Sequence, residues 1–163
     1  IDKIQIFNSY ADAIDSDFSN GQISNILMDK IGNDALDFSG SNVSIKDSKF
    51  FNVYDKAISA GEASFVDLKN SELKENELAI VVKDGSKLVS NSNILEDNRI
   101  DYAVFFKKDF YEPPILELDK INPQTLNLIQ KGVQVKSENY FKINFLDEVE
   151  SLLYGNIYGK VSK

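Results

Sequence analysis

The amino-acid sequence predicts an all-β fold: a parallel β-solenoid with coils of about 22 residues, followed by a small cap. Within each repeat, apolar and polar side chains alternate with a period of two, which is typical of short strands. The repeat is too short for helical pairs, which need about 34 residues. A small residue followed by a branched apolar one recurs with spacings of 22, 22, 22 and 24 residues, at Ala13-Ile14, Ala35-Leu36, Ala57-Ile58, Ala79-Ile80 and Ala103-Val104.

A second column of residues runs in phase with the first. Its polar members are Asn25, Asp47, Asn70 and Asn91, which stacking of successive coils would place in a ladder at a turn. Asn and Asp side chains commonly bond to turn backbone, so this ladder is predicted to be structural. The apolar members of both columns are predicted to form the core stacks: Ile14, Leu36, Ile58, Ile80 and Val104; Ile23, Ile45, Leu68 and Val89; Met28, Phe50, Leu73 and Ile94.

The period, the Asn/Asp column and the alternation resemble the right-handed parallel β-helix of the pectate-lyase-like superfamily, over about residues 1–118. The resemblance implies a right-handed, single-stranded β-helix in which equivalent residues of adjacent coils lie about 4.8 Å apart. It also implies a chemistry in which carboxylates hold calcium and a basic residue abstracts a proton next to a uronate carboxyl. The superfamily's lyase signature around a catalytic arginine is missing from this sequence.

Residues 119–163 are predicted to form the cap, because the 22-residue register ends after Leu118. A strand pair is predicted at 126–129 and 133–135, and a short helix over 147–154 with Asp147 as its N-cap and Gly155 as its stop. Such a cap covers the core and strand edge that the last coil leaves open. The ending, residues 153–160, resembles the closing segment of larger bacterial β-helix proteins, which implies a further domain on the N-terminal side.

Composition excludes several kinds of function. The chain has 26 acidic and 18 basic residues, a net charge of −8, and neither His nor Cys. It therefore cannot supply a Ser-His-Asp triad, a His/Cys zinc site or a disulfide. An acidic chain is a poor partner for nucleic acid, and no apolar run is long enough to insert into a membrane. Polysaccharide and metal cations suit the charge better.

An acidic cluster is predicted on the first two coils. Asp15 and Asp37 should stand one coil apart on the same outward face, where like charges opposite each other are destabilising. A bound cation, a shared proton, the neighbouring Lys56 or solvent would compensate for this repulsion. The cluster comprises Asp12, Asp15, Asp17, Asp34 and Asp37.

Three roles are open for this cluster. Asp15, Asp17 and Asp37 could bind Ca²⁺, which takes 6–8 oxygen ligands. Alternatively, Asp15 and Asp37 could act as acid and base on a glycan, with Lys56 as the basic residue. Asp12 and Asp34 would then contact the ligand. The remaining alternative is that the aspartates only shape turns and keep the sheet face soluble.

Three other residues are predicted to contact a ligand. Glu62 lies in the coil where the next apolar column arrives 23 residues on, and such an insertion makes a bulge that re-aims a side chain. Tyr102 could stack on a sugar ring, and Lys107 continues an outward column that includes Lys83. The alternative for the aromatic residues of this segment is that they pack the end of the core.

Together these observations predict an extracytoplasmic module, extracellular, periplasmic or on the cell surface, that binds or is presented to polysaccharide. One alternative is a polysaccharide lyase, epimerase or glycoside hydrolase that uses the aspartate cluster. A second alternative is a structural spacer for the N-terminal domain. The fold class does not decide among them, because one scaffold can carry unrelated functions.

Overall fold

The computed structural model describes residues 1–138 and 142–155. Over this part of the chain every strand pairing is parallel, and the chain passes through three sheets in turn. Each coil thus adds one strand to each sheet, as a β-solenoid requires. The strands are numbered β1 to β18 in chain order.

The five-stranded sheet consists of β1 (Gln5–Phe7), β4 (Leu27–Ile31), β7 (Lys49–Val53), β10 (Glu72–Lys74) and β13 (Ile94–Glu96). The seven-stranded sheet consists of β2 (Ile14–Asp17), β5 (Leu36–Ser39), β8 (Lys56–Gly61), β11 (Leu78–Lys83), β14 (Ile100–Phe105), β16 (Asn127–Gln130) and β18 (Phe145–Leu146). The six-stranded sheet consists of β3 (Asn20–Ser24), β6 (Asn42–Lys46), β9 (Phe65–Lys69), β12 (Lys87–Asn91), β15 (Ile115–Leu118) and β17 (Gln134–Ser137).

The solenoid interior holds the apolar stacks that the repeat predicts. Leu36 and Ile58 pair in register on β5 and β8, and Ile80 follows on β11. A second stack runs through Met28, Phe50 and Leu73, and its members are fully buried. Truncating such a side chain to alanine costs about 2–5 kcal/mol, so these columns hold the coils together.

The predicted register is wrong in the later coils. Ile80 pairs with Tyr102, so the 22-residue spacing continues and the match of Ala79-Ile80 with Ala103-Val104 is two residues off. Ser90, rather than Val89, pairs with Leu68, and Leu95, rather than Ile94, pairs with Leu73. A shift of one residue along a strand moves a side chain to the opposite face, so Val89 and Ile94 lie outside the core.

The predicted Asn/Asp column lies at a turn, but its fourth member is Ser92 rather than Asn91. Asn25, Asp47, Asn70 and Ser92 all have positive φ, between 50° and 56°. Asn and Asp tolerate this left-handed conformation better than most residues, which accounts for the column. The prediction that their side chains form the ladder is wrong, because another column provides it.

The side-chain ladder at this turn lies one residue further along the chain. Ser48 Oγ accepts the Ile26 amide at 3.4 Å, and Ser71 Oγ accepts the Ser48 amide at 3.2 Å. Asn93 Oδ1 continues the series by accepting the Ser71 amide at 2.8 Å. Buried amides of successive coils are thereby satisfied inside the solenoid.

A serine ladder at the turn between the seven- and six-stranded sheets does the same for other amides. Ser41, Ser64 and Ser86 accept the amides of Ser19, Ser41 and Ser64 at 3.0, 3.0 and 3.1 Å. Each of the three serines is buried. The sequence analysis did not single out this column.

The tail extends the solenoid before it forms a helix. β16 and β17, predicted to pair with each other, instead add to the seven- and six-stranded sheets. The helix α1 spans Glu150–Tyr154, with Val149 rather than Asp147 at its N-cap position. Over the described residues no helix is long and apolar enough to cross a membrane.

α1 lies on the outer face of the seven-stranded sheet, not over the end of the solenoid. Its Val149 and Leu153 pack in one buried cluster with outward side chains of that sheet: Leu78, Val81, Ile100, Ala103, Phe105 and Leu128. Other residues of the tail join the interior core at the end of the solenoid: Ile121, Val133, Val135 and Ile143.

Candidate functional site

Three outward rows of side chains run across the outer face of the seven-stranded sheet. They are polar in the first coils and apolar where α1 covers the later ones. The exposed polar part is therefore confined to β2, β5, β8 and β11. The rows are Asp12, Asp34, Lys56, Leu78 and Ile100; Asp15, Asp37, Ser59, Val81 and Ala103; and Asp17, Ser39, Gly61, Lys83 and Phe105. We call Asp15, Asp37, Ser59 and Lys83 the polar face.

Asp15 and Asp37 are register partners on β2 and β5, so the predicted spacing of one coil is confirmed. Partial burial, together with the charges of Asp17, Asp37 and Asp12, raises the pKa of Asp15. Asp37 in turn pairs with Ser59, which relieves the row of a third carboxylate. The repulsion is thus limited to the first two coils.

Lys56 lies in a buried ion pair. Its Nζ donates to both carboxylate oxygens of Asp34, at 3.0 and 3.2 Å, and to Asp55 at 2.9 Å. Burial disfavours the ammonium, but the carboxylates of Asp34 and Asp55 outweigh it and raise the pKa of Lys56. This environment keeps Lys56 protonated and is unfavourable for a proton acceptor.

Asp34 and Asp12 have structural partners. Burial raises the pKa of Asp34 to about 6, although the charge of Lys56 opposes this shift. Asp12 accepts the Asp34 amide at 2.8 Å and the Asn33 side-chain amide at 2.6 Å. Both aspartates therefore brace the start of a strand beside the polar face.

Lys83 is the basic residue that the polar face itself contains. Its Nζ donates to Ser59 Oγ at 3.2 Å, one coil away. A Cβ on Gly61 would come within 2.9 Å of Lys83 Cε, so the glycine leaves the space that the lysine stem occupies. Burial lowers the pKa of Lys83, an effect that Asp37 opposes and that Lys56 and Lys107 reinforce.

The loop at residues 106–114 borders one edge of the polar face. Lys108 forms an ion pair with Glu62, 46 residues earlier, and its amide donates to Asp84 Oδ1 at 2.8 Å. Tyr111 lies over Gly85, where a Cβ would come within 3.5 Å of the tyrosine side chain. The loop is thus folded back along the turns of two earlier coils.

The predicted insertion at Glu62 is confirmed. Ser39 pairs with Gly61 at a separation of 22 residues, whereas Asn42 pairs with Phe65 at 23. Glu62 itself has positive φ, 55°. The inserted residue turns the Glu62 side chain towards Lys108, at the edge of the polar face.

Lys107 and Tyr154 lie together at the other border, near α1. Lys107 is exposed, and its Nζ lies 5.7 Å from the centroid of the Tyr154 ring. An open groove of about 550 Å³ runs beside them, lined also by Glu150 and Ser151. Sequence reasoning missed Tyr154, because only the docking of α1 on the sheet brings it here.

Tyr102 is not part of this surface. It pairs with Ile80 and Asn127 in an interior column, and only 4% of it is exposed. The expectation that Tyr102 is exposed for stacking is wrong, because the shift of two residues in register had placed it on the outward side.

The carboxylates of the polar face do not fit a dedicated calcium site. Over the described residues, no three His, Cys, Asp or Glu side chains are grouped closely enough to hold a metal ion. Asp15 and Asp37 face each other, but the register partner of Asp17 is Ser39. Two carboxylates supply few of the 6–8 oxygens that Ca²⁺ takes.

The comparisons agree with the fold. A family model described as a right-handed β-helix region matches residues 1–113. The chain therefore belongs to the right-handed β-helix family. Neither the curated proteins nor the solved structures contain a match to it.

Proposed function

We propose that the polar face is a binding surface for polysaccharide, with Lys83 and Asp37 as its central residues. The observation that carries the proposal is the seating of Lys83 over Gly61, with its ammonium on Ser59 and one coil from Asp37. An ammonium, a hydroxyl and a carboxylate thus converge on one exposed surface. Such groups complement the hydroxyls of a sugar, which both donate and accept hydrogen bonds.

The repeating geometry of the sheet supports a polymeric ligand. Outward side chains recur once per coil, at the strand spacing of about 4.8 Å, so a chain with its own repeat can contact several rows. The loop at 106–114 and the pair of Lys107 and Tyr154 border this surface. Tyrosine combines an apolar ring with a hydroxyl, which suits contact with a sugar ring.

Charge favours a neutral or weakly acidic glycan. Asp15, Asp17 and Asp37 repel a polyanion at the first coils, whereas Lys83 and Lys107 tolerate an acidic group further along. Lys56 contributes little, because Asp34 and Asp55 already neutralise it. A polymeric glycan partner implies a location outside the cytoplasm.

Isothermal titration with a panel of neutral and uronate-containing oligosaccharides tests the proposal. The variants Lys83→Met and Asp37→Asn should each weaken the binding of the best oligosaccharide about tenfold, a loss of about 1.4 kcal/mol. The matched control is Lys69→Met, which removes a lysine from the six-stranded sheet where it pairs with Asp67. Equal affinity in all variants overturns the site, and absence of binding by every oligosaccharide favours a spacer.

The lowered pKa of Lys83 favours one second candidate, proton abstraction from a bound glycan. A buried lysine with a lowered pKa is a better base near neutral pH. An enzyme of the lyase or epimerase class would then lose turnover in Lys83→Met. Ultraviolet absorbance of unsaturated products and reducing-end assays test for cleavage, and absence of both with a bound glycan leaves binding alone.

A further inference from the structure

A second, unrelated cavity lies where the solenoid loses one of its sheets. Over the described residues the five-stranded sheet ends at β13, and the chain from 119 to 126 passes where its next strand would lie. Beneath this segment is a half-enclosed cavity of about 470 Å³. It is separate from the polar face, because Tyr102, Ser90 and Leu95 line it from the interior side.

Interior columns that are apolar in every earlier coil become polar around this cavity. The column of Ile14, Leu36, Ile58 and Ile80 continues as Tyr102, and that of Ile23, Ile45 and Leu68 continues as Ser90. The alanine column at 35, 57 and 79 continues as Asp101. Ser90 and Asp101 are each only 2% exposed. Burying polar groups costs free energy, so three such changes at one place need a compensating use.

The cavity carries a negative charge. Asp101 is almost completely buried and accepts one hydrogen bond from the Asn98 side chain at 3.1 Å. Asp119 accepts the Ser92 amide at 2.8 Å and the amide of Lys120 at 2.8 Å. These bonds hold the two carboxylates in place while leaving them ionised, which disfavours an anionic ligand.

The Tyr102 hydroxyl supplies a donor beside the carboxylates. Ser90 hydrogen-bonds to the phenol, and Ser90 in turn accepts the Asn93 side-chain amide at 3.0 Å. Burial, with the charges of Asp101 and Asp119, raises the pKa of Tyr102, so the phenol keeps its proton.

An orphaned polar atom lies on the next coil. Asn127 is the register partner of Tyr102, and its Oδ1 is buried without a hydrogen-bond partner in the described chain. It lines a smaller cavity of about 150 Å³ that shares Ile121 and Pro123 with the larger one. The polar column thus continues past the cavity with an acceptor that nothing satisfies.

We propose that the cavity is a binding site for a small organic cation, a molecule with a primary ammonium group. Asp101 and Asp119 would pair with the ammonium, and the Tyr102 hydroxyl would donate to a polar atom of the same molecule. The volume is many times larger than the roughly 30 Å³ that one water occupies, so it suits a molecule rather than a bare ion. Apolar contact comes from Leu95, Ile121 and Pro123.

Amide NMR titration of the full chain provides the test, with glucosamine and 1,4-diaminobutane as cationic probes and glucose and calcium chloride as comparison ligands. Saturable shifts of the Ser92, Asp101 and Lys120 amides are expected with the amines and not with glucose. Asp119→Asn should weaken amine binding about tenfold. The control Asp97→Asn removes the same charge at an exposed positive-φ position that asparagine also tolerates, and should bind as the parent does.

A cavity-filling variant keeps the proposal falsifiable if loss of Asp101 disturbs folding. Ser90→Leu restores the apolar column between Leu68 and Leu118, and should abolish amine binding while the protein remains folded. Absence of saturable amine shifts overturns the proposal, as does equal binding of glucose. Preferential binding of calcium would replace the organic cation with a metal ion and equally overturn it.

Discussion

Lys56 and Asp34 form an ion pair in which the two side chains are only 7% and 5% exposed. The pair stands at the point where the outward row changes from the acidic Asp12 to the apolar Leu78. Asp55 completes it at 2.9 Å. The first coils are thereby joined to the part of the sheet that α1 covers.

Removing the lysine should leave two carboxylates buried without a cation. Lys56→Met is expected to lower the free energy of unfolding by about 3–5 kcal/mol, because an uncompensated buried charge is costly. Urea unfolding followed by circular dichroism measures this. The double variant Lys56→Met with Asp34→Leu should recover much of the loss; a single variant as stable as the parent would contradict the account.

The raised pKa of Asp34 predicts a pH dependence. Its folded-state pKa of about 6 lies above the ordinary value of 3.8, so the folded protein binds this proton more tightly than the unfolded chain. The contribution of this group to the unfolding free energy should therefore be full below pH 3.8 and be lost as the pH rises through about 6. Comparing parent and Asp34→Asn across this range isolates the effect; a difference that grows with rising pH in favour of the parent would refute it.

Gly61 provides a test of the polar face that leaves its charges intact. Gly61→Ala should displace the Lys83 stem, since the new Cβ would lie 2.9 Å from its Cε. Because that atom lies near the end of a flexible side chain, the stability loss should stay within about 1 kcal/mol. Oligosaccharide affinity should fall several-fold by titration calorimetry. Gly21→Ala, which meets nothing within 4 Å, is the control and should bind normally.

The serine ladder should contribute to stability through buried amides. Ser64→Ala removes the acceptor of the Ser41 amide and is expected to cost about 1–3 kcal/mol, the penalty for an unsatisfied buried donor. Ser44→Ala, at a half-buried position on β6, should change the unfolding free energy by less than about 0.5 kcal/mol. Thermal or urea unfolding of the two variants decides; equal effects would mean that the ladder adds nothing.

The repeat was sufficient to predict the coil length and the pairing of Asp15 with Asp37, because stacked coils convert sequence spacing directly into register. It failed at Tyr102 and Ile94, where apolar residues occupy neighbouring positions and the period of two allows several registers. The position of α1 was also beyond the pattern. Its apolar stripe fits either the end of the solenoid or the apolar outer rows, and only packing against Phe105 and Leu128 distinguishes these.

Lys83 shows why the candidate site was only partly predictable. Its outward position follows from the repeat, but its lowered pKa depends on burial that arises from Gly61 and the surrounding lysines. The reverse holds for Lys56, which looked suitable beside the aspartates and proved to be neutralised by Asp34. Side-chain environment, rather than column position, separates these two lysines.

Amide NMR of the parent protein with the best-binding oligosaccharide tests the central claim most directly. The account predicts saturable shifts at Asp37, Ser59, Gly61 and Lys83, with smaller ones at Lys107 and Tyr154, and their loss in Lys83→Met. Shifts confined to another sheet, or the same shifts in Lys83→Met at unchanged affinity, would contradict the assignment of glycan binding to the polar face.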